Sequence, residues 1–206
     1  MMKRISGIMD EDLVEEIEYL IEVLTKSGFF NIDEIHEILE DQFIEEDIDF
    51  SSFDISLNEF DNANFNKLEC VFNSLVEKDI LAVHNCGFDI EEGVADVFEL
   101  QVHLLNNKFN PAGFCFYTFE DVEEAIWDNK LKITFGDFEN NEKKALEIGE
   151  LTAECFKSKG FSIKWDGTVN SQIEINPFKW DKSFDSEKEY EIEGAYECFI
   201  NKDVLK

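Results

Sequence analysis

Basic residues are scarce in this chain. Eighteen lysines and arginines stand against 48 aspartates and glutamates, a net charge of −30 over 206 residues. A field of that sign repels nucleic-acid phosphates and anionic lipid, so no nucleic-acid partner and no membrane surface is expected. Proline is nearly absent, with Pro111 and Pro177 alone, and no Gly/Ser/Pro-rich linker interrupts the chain. One compact unit over residues 1–206 is therefore expected rather than two domains. The five cysteines (Cys70, Cys86, Cys115, Cys155, Cys198) are odd in number and form no CxxC pair. That pattern fits reduced thiols in a cytoplasm better than a disulfide framework. No apolar run approaches the length of a membrane span. At the start, Met1 to Gly7 meets acid at Asp10 before any apolar segment, unlike a secretory leader.

What the chain has in quantity is phenylalanine. Twenty-one of them within 44% hydrophobic residues supply a real core despite the charge. The acidity is densest in residues 1–79, which hold 22 acids and 5 bases. This stretch forms an acidic helical layer in the reading below, residues 80–180 an α/β core, and residues 181–206 an acidic extension.

Hydrophobic spacing sets the elements. Leu13, Ile17, Leu20, Ile21 and Leu24 share one helical face, and Gly28 can end that helix. Asn31 followed by Glu34 resembles a capping box for a second helix carrying Ile35, Ile38, Leu39 and Phe43. Residues 45–60 read as a packed irregular segment. A third helix follows near Asp61 to Lys78. The pattern then changes to short apolar runs, Ile80 to Val83 and Gly113 to Tyr117, typical of central strands. Gly87 makes a turn, and Asp89 with Glu92 caps the helix after it. Thr118 and Asp121 cap a short helix, Leu131, Ile133 and Phe135 alternate as a strand, and a long helix runs from Asn140 to Lys159. Its Ala145, Gly149 and Ala153 allow close approach to the sheet. Phe161, Ile163 and Trp165, with Ile173 and Ile175, form a terminal β-hairpin across WDGTVN. The expected fold class is α/β: a mostly parallel mixed sheet with a C-terminal β-hairpin, preceded by an acidic three-helix N-terminal layer.

Four stretches carry a resemblance: AVHNCGF (Ala82 to Phe88), GFCFYTFED (Gly113 to Asp121), ITFG (Ile133 to Gly136) and WDG (Trp165 to Gly167), with the later Trp180. In these the chain resembles an uncharacterised bacterial family, a domain of unknown function. The resemblance implies a shared α/β fold and a cytoplasmic setting, and it transfers no catalytic role.

In an open parallel sheet, ligands gather at the carboxyl ends of strands. Those ends would bring His84, Asn85 and Cys86 together with Tyr117, Gly136, Asp137, Trp165 and Asp166 on one rim. If the strand persists to Cys86, His84 and Cys86 face the same way and can form a thiolate–imidazolium pair. The plain alternative is a buried strand-end thiol with His84 and Asn85 bonding loop backbone. Asn85, Tyr117, Trp165 and Asp166 are ligand-binding candidates, with Asp166 equally suited to shaping its own turn. Asp89, Glu91 and Glu92 already fill the helix start that would attract a phosphate, and no GxGxxG or P-loop is present. No metal site is expected. HEILE at His36 to Glu40 lacks the second histidine of a zinc protease, and Asp47, Asp49 and Ser51 open a calcium-loop pattern without its glycine or final glutamate. No cofactor is implied.

The charge, with no complete catalytic signature beside it, points to a non-catalytic acidic module for a basic protein partner, and an immunity or antitoxin-like role fits. The competing expectation is a thiol-dependent or small-molecule enzyme using Cys86 with His84.

Overall fold

In the computed structural model, residues 11–46 and 48–202 are described. The leader expectation at Met1 to Gly7 and the Asp47 position of the calcium-loop pattern fall outside them. Two amphipathic helices come first, α1 (Glu11–Ser27) and α2 (Ile32–Gln42). Gly28 stops α1 at φ 70°. The Asn31 side chain accepts from the Glu34 N–H while the Glu34 carboxylate accepts from the Asn31 N–H, closing the capping box. Residues 43–46 and 48–62 then run without regular structure except for one 3₁₀ turn at Phe50–Ser52.

A second body of structure follows: α3 (Ala63–Val76), β1 (Ile80–Val83), α4 (Ile90–Asn106), β2 (Gly113–Phe116), α5 (Phe119–Asp128), β3 (Leu131–Gly136), α6 (Glu142–Ser158), β4 (Ile163–Lys164), β5 (Ile173–Ile175) and α7 (Ile192–Ile200). The strands form one mixed five-stranded sheet in the order β1-β2-β3-β5-β4. Alternation along β2 shows the layering. Gly113 faces Ile148 of α6, while Phe114 packs on Phe98 and Phe116 on Gly93, both in α4. His84, just past β1, stacks on Phe72 of α3. Helices α3 and α6 therefore cover one face and α4 the other. Gly149 is where α6 comes closest, since a Cβ there would meet the Phe135 ring at 2.5 Å.

The α/β class and the C-terminal hairpin are present, but the sheet is not mostly parallel. Only β1 and β2 run parallel; β3 is antiparallel to β2, and β5 to both β3 and β4. The cause is α5. Parallel crossovers need a helix that returns along the sheet. Here the ladder starts at Phe116↔Thr134, so β3 begins three residues beyond the end of β2. The chain leaves β2 through α5, moves past the sheet end, and turns back at Asn129 with φ 54°.

The three early helices do not form one layer. Helices α1 and α2 share a satellite core of Ile17, Ile21, Leu24, Ile35, Leu39 and Phe43 with Phe50, whereas α3 belongs to the main core through Phe65, Leu68, Phe72 and Leu75. Nor is β1 a central strand: it is an edge. Its apolar run reflects burial by α7, which touches β1 and also reaches α3 and α4 on opposite faces. The acidic extension thus closes the open strand edge.

Residues 180–183 join the two cores. Trp180 Nε1 donates to the Ser27 carbonyl at 3.1 Å. Asp181 accepts from the N–H groups of Asn64 and Phe65, both at 2.9 Å, and so caps α3 from 116 residues away. Lys182 is buried, donates to the Gly28 carbonyl, and lies over the rings of Phe29, Phe65 and Tyr190.

Candidate functional site: an acid-lined cleft at the sheet rim

The mixed topology divides the expected rim. His84, Asn85, Cys86 and Tyr117 follow β1 and β2 at one end of the sheet. Gly136 pairs with Phe114, so Asp137 leaves from the opposite end. Strand β4 runs with β3, and Trp165 and Asp166 leave in that same direction. There Asp166 is exposed and accepts from Thr168 N–H, Thr168 Oγ1 and Ser171 Oγ, at 3.0, 2.9 and 2.5 Å. Those hydroxyl bonds hold its carboxyl below the usual range. It shapes its own turn, and Trp165 packs edge-on against Phe135 and donates to the Thr168 carbonyl.

His84 and Cys86 do not pair. The strand stops at Val83, and Asn85 adopts a left-handed φ of 49°, so the backbone rotates between the two. Cys86 Sγ turns toward the Gly93 carbonyl at 3.5 Å. Burial pushes its thiol well up, with Asp96 and Glu191 adding to the shift. His84 Nδ1 bonds the Tyr117 hydroxyl at 2.8 Å, and the imidazole stacks on Phe72 with centroids 4.2 Å apart. Burial, helped by Lys182 and Lys188, lowers its pKa to about 3. Tyr117 is itself fully buried, and burial raises its phenol well above the ordinary value. A neutral imidazole, a protonated thiol and a sealed phenol are core chemistry. Cys115 likewise sits in the main core. Asp49 caps the 3₁₀ turn through Ser51. Among the described residues no group of three or more His, Cys, Asp or Glu side chains is placed to hold a metal.

Asn85 alone of the candidates lines a large cleft. Beyond the strands the β1–β2 ladder continues: Cys86 N–H donates to Tyr117 O, Phe119 N–H to Gly87 O, and Glu120 N–H to Phe88 O. This zipped pair of turns is one wall. Gly87 permits it, with φ 70° and a backbone so close to Gly93 N that a Cβ would lie 2.5 Å away. Helices α1 and α2, with the turn between them, form the opposite wall through Leu20, Val23, Leu24, Phe30 and Ile38, and Glu191 and Ile192 at the start of α7 also line the cleft. The open cleft has a volume of about 570 Å³, within the range of ligand pockets.

Its chemistry is apolar walls with carboxylates. Glu16, Asp96, Glu123 and Glu191 line it, and no lysine, arginine or histidine does among the described residues. Burial, then Glu92 and Glu99, raises the Asp96 pKa. The Tyr19 hydroxyl donates to Glu123, which raises the phenol, and Tyr19 stacks on Trp127. Glu191 is open to the cleft yet surrounded by protein, and this partial desolvation raises its carboxyl. It stands at the N-cap of α7 but makes no cap bond there. Instead it reaches across to accept from Asn85 Nδ2 at 2.6 Å. Among the described residues no protein group hydrogen-bonds the buried Asn85 Oδ1. The N-termini of α4 and α5 are capped by Asp89 and by Asp121 with Thr118. At α5 the N–H groups of Phe119, Glu120 and Asp121 are engaged, as is that of Glu92 at α4.

Residue spacing did not single out Glu16, Asp96, Glu123 or Glu191, because acids are everywhere in this sequence. The available signal was local: Glu16 and Tyr19 flank the apolar stripe of α1, and Glu123 follows the capped TFED turn.

Fold and site together define a mixed α/β protein with a composite cleft. The chain belongs to the family described as Domain of unknown function (DUF6891), which matches residues 58–184. The quoted HNCGF, GFCFYTFED, ITFG and WDG stretches all fall within that span, whereas α1, α2 and α7 fall outside it. Neither curated proteins nor solved structures give a match.

Proposed function

We propose that the protein is a non-catalytic acidic module that binds a basic protein partner in the cytoplasm, in the manner of an immunity or antitoxin protein. The observation that carries this reading is the cleft, an apolar cavity edged by four carboxylates and, among the described residues, by no base. Such a surface combines an anchor for apolar side chains with attraction for cations. The net charge of −30 adds long-range steering toward basic surfaces. Five free cysteines accord with a reducing compartment. A thiol-dependent mechanism finds no support in the buried Cys86 and neutral His84.

The test is retention of basic proteins on the immobilised full chain. A cleft variant (E16Q/E123Q/E191Q) is compared with a variant of equal charge on the exposed face of α6 (E147Q/E150Q/E154Q). The reading predicts that one discrete partner is lost from the cleft variant, kept by the α6 variant, and released as salt screens the charges. Equal loss from both variants reduces the interaction to net charge. Retention undiminished at molar salt contradicts the electrostatic basis altogether.

A further inference from the structure

We infer that the Asn85–Glu191 corner of the cleft reads one lysine or arginine side chain that stands beside an apolar anchor in the partner. This deepens the binding-module reading and rests on it. Glu191 already spends one hydrogen bond on Asn85, which fixes the direction of its carboxylate. Glu191 lines the cleft, and among the described residues no salt bridge engages it. A carboxylate held in place by an amide and surrounded by apolar wall is an acceptor for an ammonium or guanidinium. The same cleft is lined by Phe30, Phe119, Leu20 and Leu24, suited to an aromatic or aliphatic group. The exposed rings of Phe88 and Tyr19, 53% and 46% accessible, flank the mouth.

The occupant follows from the charge. An anionic ligand meets four carboxylates and two helix starts that already carry acid. A neutral apolar ligand leaves Glu191 desolvated and unpaired, which is costly. A segment bearing an apolar anchor and an adjacent cation satisfies both. A protein side chain is favoured as its source because the steering field of the whole molecule acts on an extended basic surface more than on one small cation. Half of this site, the α1–α2 wall and the start of α7, lies outside the family-matched span. The corner thus joins Asn85, inside that span, to Glu191 beyond it.

The experiment titrates the full chain by calorimetry with three probes sharing one indole body: tryptamine, tryptophol and indole-3-propionate. A fourth probe, acetyl-Trp-Lys-amide, presents the same ring next to a lysine side chain. Tryptamine is expected to bind about tenfold tighter than tryptophol, and indole-3-propionate weakest. The substitution Glu191→Gln keeps the acceptor for Asn85 and removes the charge. It is expected to weaken tryptamine and the peptide about tenfold while leaving tryptophol unchanged. Asn85→Gly keeps the positive φ, frees Glu191 and should reproduce most of that loss, while Glu150→Gln on α6 changes nothing. Equal binding of the three indoles, or no effect of Glu191→Gln in a folded variant, overturns the inference. Exclusion of the peptide while tryptamine binds overturns the protein source. Peptide binding that depends on Glu191, in a protein whose cleft variant retains basic proteins as well as the wild type, leaves the corner standing and removes the partner reading. The reverse outcome, partner loss without any Glu191 dependence, removes the corner alone.

Discussion

Lys182 and His84 are both buried, and each ties stability to pH in the same direction. Burial lowers the Lys182 pKa to about 8. Between pH 8 and pH 10 the unfolded chain still holds that proton while the folded chain releases it, so this contribution to stability rises with pH. Tyrosine ionisation opposes it at higher pH, so the comparison is with Lys182→Met. The wild type is expected to gain about 2 kcal/mol relative to the variant from pH 8 to pH 10, measured by urea unfolding. His84 titrates in acid. Its contribution is fully present above the unfolded pKa of about 6.5 and is lost as pH falls toward its folded value of about 3. From pH 6.5 to pH 5 that loss is about 2 kcal/mol, and His84→Phe should flatten it. Cys86 belongs to the same scale. Its thiol is buried and pushed up, so alkylation of the folded protein is expected first at the exposed Cys70, with Cys86 silent. Fast selective labelling of Cys86 would revive the thiol enzyme.

At the scale of elements, the joints carry the arrangement. Asp181 supplies the cap that the Asn62 side chain does not give α3. Asp181→Ala is expected to cost about 1–2 kcal/mol in the denaturant midpoint, and Asp181→Asn less, since one acceptor oxygen remains. Gly87→Ala forces a Cβ into the backbone of Gly93 at positive φ. It should cost about 2 kcal/mol or more and weaken cleft binding beyond what stability explains. Much of this was legible in the sequence. The runs Ile80 to Val83 and Gly113 to Phe116, the caps at Asn31, Asp89 and Thr118, and the close approach at Gly149 are local signals with local causes. Strand direction was not legible, because it depends on where α5 carries the chain, and a ten-residue helix reads alike in either direction. The error then propagated, since a parallel sheet would have put Trp165 and Asp166 beside Asn85. Asp181 and Glu191 were hidden for a different reason. Their roles are bonds across more than 100 residues, invisible to any spacing rule.

For the whole molecule, the charge and the cleft make one argument. The −30 field is general and brings cations near, while the cleft between α1–α2 and the sheet rim provides the place where apolar contact and charge coincide. Raising salt should therefore slow association more than it speeds dissociation, because steering is long-ranged and the buried contact is not. The most direct measurement is amide chemical-shift mapping of the isotope-labelled full chain with acetyl-Trp-Lys-amide. Shifts are expected only along the cleft walls, at Leu20, Phe30, Asn85, Gly87, Phe119 and Glu191. Shifts centred on the acidic face of α6, or spread evenly over the acidic surface, would contradict it.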